Sequence, residues 1–143
     1  MAKKLNCVFK ITSNVINLDG GKPDGDIEKD EFSVSGNLTT DAGKTTLSYK
    51  EERGDSKVLC EITATANEVT VTRRGDVVCD MLFSVEKTHK SIYKVPPFSF
   101  DMEISTTRID NTLENPGGAL SLFYNMNVGG AEKRCRMKIE RKD

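Results

Sequence analysis

Val77-Val78-Cys79-Asp80-Met81-Leu82-Phe83-Ser84-Val85 puts Val77, Cys79, Met81, Phe83 and Val85 on every second residue. Side chains of an extended strand alternate between two faces, so this spacing turns all five toward one side. The same beat returns along nearly the whole chain, and no stretch keeps a helical period for long. A chain made of such strands must hide its edges, because an unpaired edge templates aggregation. Closure into a barrel or stacking as a sandwich does that. The pattern therefore predicts an all-β protein, a single antiparallel up-and-down β-barrel of about ten strands over residues 1–143, with a sandwich as its rival.

Turn signals divide the beat. Lys4 to Val15 alternates through Leu5, Cys7, Phe9 and Ile11, and Gly20-Gly21, Pro23 and Gly25 then mark an acidic loop over Asp19 to Asp26. Asp41-Ala42-Gly43, Arg53-Gly54-Asp55, Ala66-Asn67, Arg74-Gly75-Asp76 and Gly129-Gly130 read as short turns between neighbouring strands. Pro96-Pro97 cannot donate to a ladder and marks a corner or edge. Asn111 to Gly118 is a second loop. Short connections between sequence neighbours suit antiparallel pairing.

With 143 residues the chain has one domain's length, and its hydrophobic share of 36% suits a single-layer barrel in which each strand wets one face. A net charge of -1 gives no global field for nucleic acid or an anionic membrane. Met1-Ala2-Lys3-Lys4-Leu5-Asn6-Cys7 has two lysines but no apolar run behind them, so it does not read as a signal peptide. No run is long enough to span a bilayer, and a cytoplasmic location is expected. Cys7, Cys60, Cys79 and Cys135 are far apart and in phase with apolar neighbours. They read as four reduced, buried thiols rather than a metal or redox motif.

Further along, the order of motifs resembles a known family. It runs Leu47-Ser48-Tyr49-Lys50-Glu51, Thr72-Arg73-Arg74-Gly75, Met81-Leu82-Phe83 and Tyr93-Lys94-Val95-Pro96-Pro97-Phe98. It continues through Ile104-Ser105-Thr106 to Gly117-Gly118-Ala119-Leu120-Ser121-Leu122-Phe123-Tyr124. This is similar to the YwiB-like family of uncharacterised bacterial proteins. The resemblance implies a lipocalin-like, or calycin, β-barrel and brings no established activity or ligand. Lipocalins close the barrel floor with a tryptophan near the N-terminus and a basic residue on a late strand, whereas this chain has no tryptophan.

Catalytic chemistry has little to draw on. His89 is the only histidine, so any histidine-based nucleophile mechanism would run through it. Beside the Glu86-Lys87-Thr88 turn it reads as a solvated strand-end residue. Asp24, Asp26, Glu28, Asp30 and Glu31 lack EF-hand spacing and read as a solvated acidic loop. Arg134, Arg136 and Lys138 share a strand face without interleaved aromatics, the pattern of a solvated face rather than a nucleic-acid interface. No enzyme activity, cofactor or metal is expected.

Arg73 is the sharpest candidate. It is in phase with Val69 and Val71, which turns it inward, and a buried arginine needs a partner. Glu51, in phase with Leu47 and Tyr49, is the natural one, and Tyr93 offers a hydroxyl. Arg73, Glu51, Tyr49 and Tyr93 are the candidate ligand-binding residues, with the arginine as anchor for an acidic head group. The structural alternatives are an ion pair closing one end of the barrel, or a rim arginine just before the Arg74-Gly75 turn. The reading that results is a binding module for a small hydrophobic, amphipathic or acidic molecule. The alternative is a structural or interaction protein with a side-chain-filled barrel, and neither nucleic acid nor membrane is expected as partner.

Overall fold

A computed structural model describes residues 3–143, with side chains from residue 4 onward; Met1 and Ala2 of the N-terminal motif lie outside the described residues. Ten strands follow one another: β1 (Lys3–Asp19), β2 (Lys22–Asp41), β3 (Lys44–Arg53), β4 (Ser56–Ala64), β5 (Glu68–Gly75), β6 (Cys79–Ser84), β7 (Thr88–Val95), β8 (Phe98–Asn111), β9 (Ala119–Val128) and β10 (Ala131–Arg141). They form one antiparallel sheet in the order β6-β5-β4-β3-β2-β1-β10-β9-β8-β7. Apart from the β1–β10 contact, every pairing joins sequence neighbours, which is an up-and-down meander. The sheet curls into a nearly closed barrel. Its ends meet where Val78 and Lys94 exchange hydrogen bonds of 2.9 Å each and where Glu86 N–H donates to the Thr106 carbonyl. The sandwich rival falls, because there is one sheet rather than two.

Two-residue turns match strand twist when both residues take positive φ, which glycine does without steric cost. Gly20-Gly21 and Gly129-Gly130 do this. The first of these corrects the expected loop over Asp19 to Asp26. Only the glycine pair turns, and the flanking residues belong to β1 and β2, paired as Leu18 with Pro23 and Asp19 with Lys22. This hairpin extends past the barrel rim, and residues 22–31 of β2 are all exposed.

One end of the barrel is packed solid. Phe9, Leu38, Leu47, Ile62, Val69, Phe83, Leu120, Leu122 and Ile139 fill it, each essentially fully buried. The floor is sealed by Arg141, which lies across from Phe9 on β1 and continues the inward phase of Met137 and Ile139. Its Nη1 donates to the Leu113 carbonyl at 2.7 Å and its Nε to Asp143 Oδ1 at 3.1 Å. Leu113 folds in from the β8–β9 loop and is 1% exposed. All four cysteines are free and buried.

Toward the other end the wall loosens. β2 and β3 pair only from Gly36–Tyr49 to Asp41–Lys44. At the top of that ladder a Cβ on Gly36 would lie 2.6 Å from the Ser48 carbonyl oxygen and 3.1 Å from Tyr49 Cβ. Close approach of the two backbones requires glycine there. Gly36→Ala is expected to cost about 1–3 kcal/mol, the usual range for overpacking. Urea unfolding measures it, and an unchanged midpoint would show that β2 can move aside.

Candidate ligand-binding site

Each inward-facing row of side chains runs from apolar at the floor to polar at the mouth. On β3 the order is Leu47, Tyr49, Glu51, Arg53; on β5 it is Val69, Val71, Arg73. On β10 it runs the other way, from Lys133 at the mouth through Cys135 and Met137 to Ile139. Above the packed floor the rows enclose a cavity of about 480 Å³. Its lining includes all three tyrosines of the chain, Tyr49, Tyr93 and Tyr124, and all four methionines beyond Met1, namely Met81, Met102, Met126 and Met137. Ile11, Phe32, Ile62, Val71 and Val128 complete its apolar wall. The cavity meets solvent at the end where Asp30 and Arg53 stand, each about half exposed.

Arg73 points inward, as strand phase predicts. Its Nη2 donates to Glu51 Oε2 at 2.8 Å, with the two side chains 22% and 14% exposed. It sits between Cys60 on β4 and Cys79 on β6. Cys60 Sγ lies 3.9 Å from the same Glu51 oxygen. Burial works against the arginine's charge, but Cys60 and Glu51 outweigh it and hold its pKa above the ordinary value. Glu51 Oε1 is 4.0 Å from Arg53 Nη1, so the carboxylate lies between two guanidinium groups. Arg53 in turn grips Asp30 with both nitrogens, at 2.6 and 2.8 Å, and stacks 4.7 Å over the Phe32 ring. That fork spans the gap where β2 and β3 have parted, and it holds the Asp30 carboxyl below its ordinary pKa.

The four residues expected at the site, Arg73, Glu51, Tyr49 and Tyr93, all line this cavity. Among the described residues, Arg73 pairs with Glu51 and makes no hydrogen bond to Tyr93. Asp30, Arg53, Lys133 and the methionines were not anticipated. From sequence, Arg53 reads as part of a turn and Asp30 as part of a solvated acidic loop, whereas the two form an ion pair at the mouth. Glu31 likewise pairs with Lys10 at 3.2 Å rather than standing free in a loop. His89 is a second correction. It falls on the inner phase of β7, and its Nε2 is buried without a hydrogen-bond partner, as is Thr106 Oγ1. Both lie on the strands flanking the seam. Among the described residues, no group of three His, Cys, Asp or Glu side chains could hold a metal ion. Outside the barrel, Phe123 stacks between Arg108, at 5.6 Å, and Arg136, at 5.0 Å. An aromatic does therefore interleave with the basic face, from β9 rather than from β10 itself.

Comparison with known proteins places the chain. Residues 10–139 match the model of the Domain of unknown function (DUF1934). The chain belongs to this family. A relative, the uncharacterized β-barrel protein YwiB of Bacillus subtilis (strain 168), is 30% identical over 110 residues, covering 77% of this chain and 78% of that protein. The crystal structure of the ywiB protein from Bacillus subtilis superposes with a TM-score of 0.75 at 25% identity, covering 96% of this chain and 94% of that one. The DUF1934 barrel seen here thus has an experimentally determined counterpart of the same fold.

Two outcomes follow for this DUF1934 protein. Arg73→Met strands the Glu51 carboxylate and is expected to cost about 2–3 kcal/mol, less than for a dry pair because solvent and Arg53 can reach it. Adding Glu51→Met should recover most of the loss in urea melts; equal losses in the single and double variants would refute the coupling. The second concerns alkaline pH. Burial raises the pKa of Cys60, Cys79, Tyr49 and Tyr124, and pushes Cys135 up to about 11. The unfolded chain releases these protons first, so stability is fully present below the ordinary thiol value and falls as pH rises through the folded values. For Cys135 the window runs from 9.0 to about 11. Melting temperature should decline progressively across it, and the tyrosinate absorbance of Tyr49 and Tyr124 should rise only with unfolding.

Proposed function

We propose that this protein is a non-enzymatic binding module that holds a small amphipathic molecule inside its barrel, in the lipocalin-like manner. The single observation that carries the reading is the half-filled interior. The lower half is packed to closure, while the upper half keeps a cavity of about 480 Å³ with an open end. Ligand cavities commonly measure roughly 300–1,000 Å³, with an apolar wall and a few convergent polar groups. Methionine makes such a wall adaptable, because the side chain is unbranched and the sulfur polarizable. Tyrosine adds apolar rings with a hydroxyl that can orient a guest. The floor also supports the lipocalin-like reading. Its late-strand basic residue is Arg141, and the aromatic across from it on the first strand is Phe9. A cytoplasmic setting remains part of this proposal.

The alternative, an interaction barrel, draws on the outer wall. Ile16, Ile27 and Phe123 line a groove of about 450 Å³ beside Arg134 and Arg136. The two readings separate in one experiment. Native mass spectrometry of the purified protein, alone and after incubation with apolar and amphipathic small molecules, should show an adduct of one molecule per chain. Met126→Trp, which fills the cavity from β9, should abolish the adduct while the melting temperature holds or rises. No adduct with the wild-type protein, or an adduct undiminished by Met126→Trp, would turn the reading to the outer face.

A further inference from the structure

The proposed site has an ionic imbalance. Its lining carries three cationic side chains, Arg53, Arg73 and Lys133, against two carboxylates, Asp30 and Glu51. Both carboxylates are engaged: Asp30 accepts two hydrogen bonds from Arg53, and Glu51 accepts from Arg73. Lys133 is left over. Among the described residues no carboxylate lies within ion-pair distance of its Nζ. Strand phase explains its position. Lys133 alternates with Cys135 and Met137 and is the cross-strand partner of Met126 on β9, with which it lines the cavity. It is half-buried rather than extended into solvent. A cation in the cavity lining with no carboxylate at ion-pair distance favours the arrival of an anion.

We infer that the guest of this cavity is an anion with an apolar body, and that Lys133, not Arg73, is the residue that receives its charged group. This rests on the binding reading above. Arg73 is tied to Glu51, and recruiting it would break a 2.8 Å ion pair and strand the carboxylate. Lys133 has no such ion pair to break among the described residues. The charged group thus sits on the β10 side of the mouth, and the apolar body reaches down among Met126, Met102 and Tyr124 toward the packed floor. The ligand class is an organic carboxylate, sulfate or phosphate carrying a hydrophobic ring or chain. The shared chemistry is an oxyanion at one end.

Two fluorescent probes with nearly the same rings test this: anilinonaphthalene sulfonate, which is anionic, and N-phenylnaphthylamine, which is neutral. Wild-type protein should bind both, and the anion more tightly. Lys133→Met should weaken the anionic probe by about tenfold or more, the worth of a charge-assisted hydrogen bond, and leave the neutral probe unchanged. Lys133→Arg should restore the anion. Arg136→Met, on the outer face, should alter neither, and melts of each variant will show that the fold persists. If Lys133→Met binds both probes as wild type does, or loses both equally, the assignment of Lys133 falls while the cavity remains a binding site. If wild type binds neither probe, the assignment and the binding reading fall together.

Discussion

Closure of the sheet is the constraint on which everything else rests. An open ten-stranded meander would leave β6 and β7 as free edges, each a row of unpaired N–H and C=O groups. Here the two edges meet at the Val78–Lys94 bridge near the mouth and at the Glu86–Thr106 hydrogen bond near the floor. Few backbone bonds make that seam, and side chains do the rest. Phe83 on β6 and Tyr124 on β9 approach edge-on across the interior, with ring centroids 4.8 Å apart. Once the edges meet, the inner face of the sheet stops being a surface and becomes a volume. Each inward residue then either fills it or lines what is left.

The strand alternation made that inner face legible. Cys79, Met81 and Phe83 on β6, and Leu120, Leu122 and Tyr124 on β9, all point inward as their phase predicts. The short meander turns gave the strand order. Arg73 and Glu51 could be matched because both keep phase to the end of their strands. Arg141 carried the same signal, two residues beyond Ile139, but a charged residue near the end of a strand is easily taken for a solvated tail. Its role shows only when Leu113 and Asp143 are seen to supply its acceptors.

What sequence could not give was the third dimension of the polar residues. Asp30 and Arg53 are bound by a side-chain fork where β2 and β3 have already separated, so no ladder register announces the pair. Local breakers misled at the first hairpin for a related reason. Pro23 lies near the tip, where the ladder is ending, and Gly25 sits with φ of 90° in the irregular stretch opposite Val15 to Asn17. Both are tolerated there, although they argue against a strand elsewhere. His89 stands just after a turn, yet strand phase rather than the turn sets its direction. The gathering of methionines and tyrosines at one end was latent in the meander: Tyr93, Met126 and Lys133 each lie a few residues from a turn at the mouth. Reading it requires knowing that those turns share one end.

The contrast between the two halves of the interior bears on the proposed role. Protein interiors normally pack to the density of organic crystals, and a void forfeits dispersion contacts along its whole lining. This chain can achieve such packing, since leucine, isoleucine and phenylalanine do so around Phe9 and Leu122. Toward the mouth the same barrel switches to methionine, tyrosine and paired charges and leaves a cavity unfilled. The ion pairs there do not offset the lost packing, because pairs of this kind return little net stability over apolar residues of equal volume. What they do is fix geometry. Glu51 sets Arg73, and Arg53 sets Asp30 and bridges the parted strands. A cavity framed by groups that gain little stability, with Lys133 unmatched among the described residues, is consistent with the proposed receptor for an anionic apolar guest.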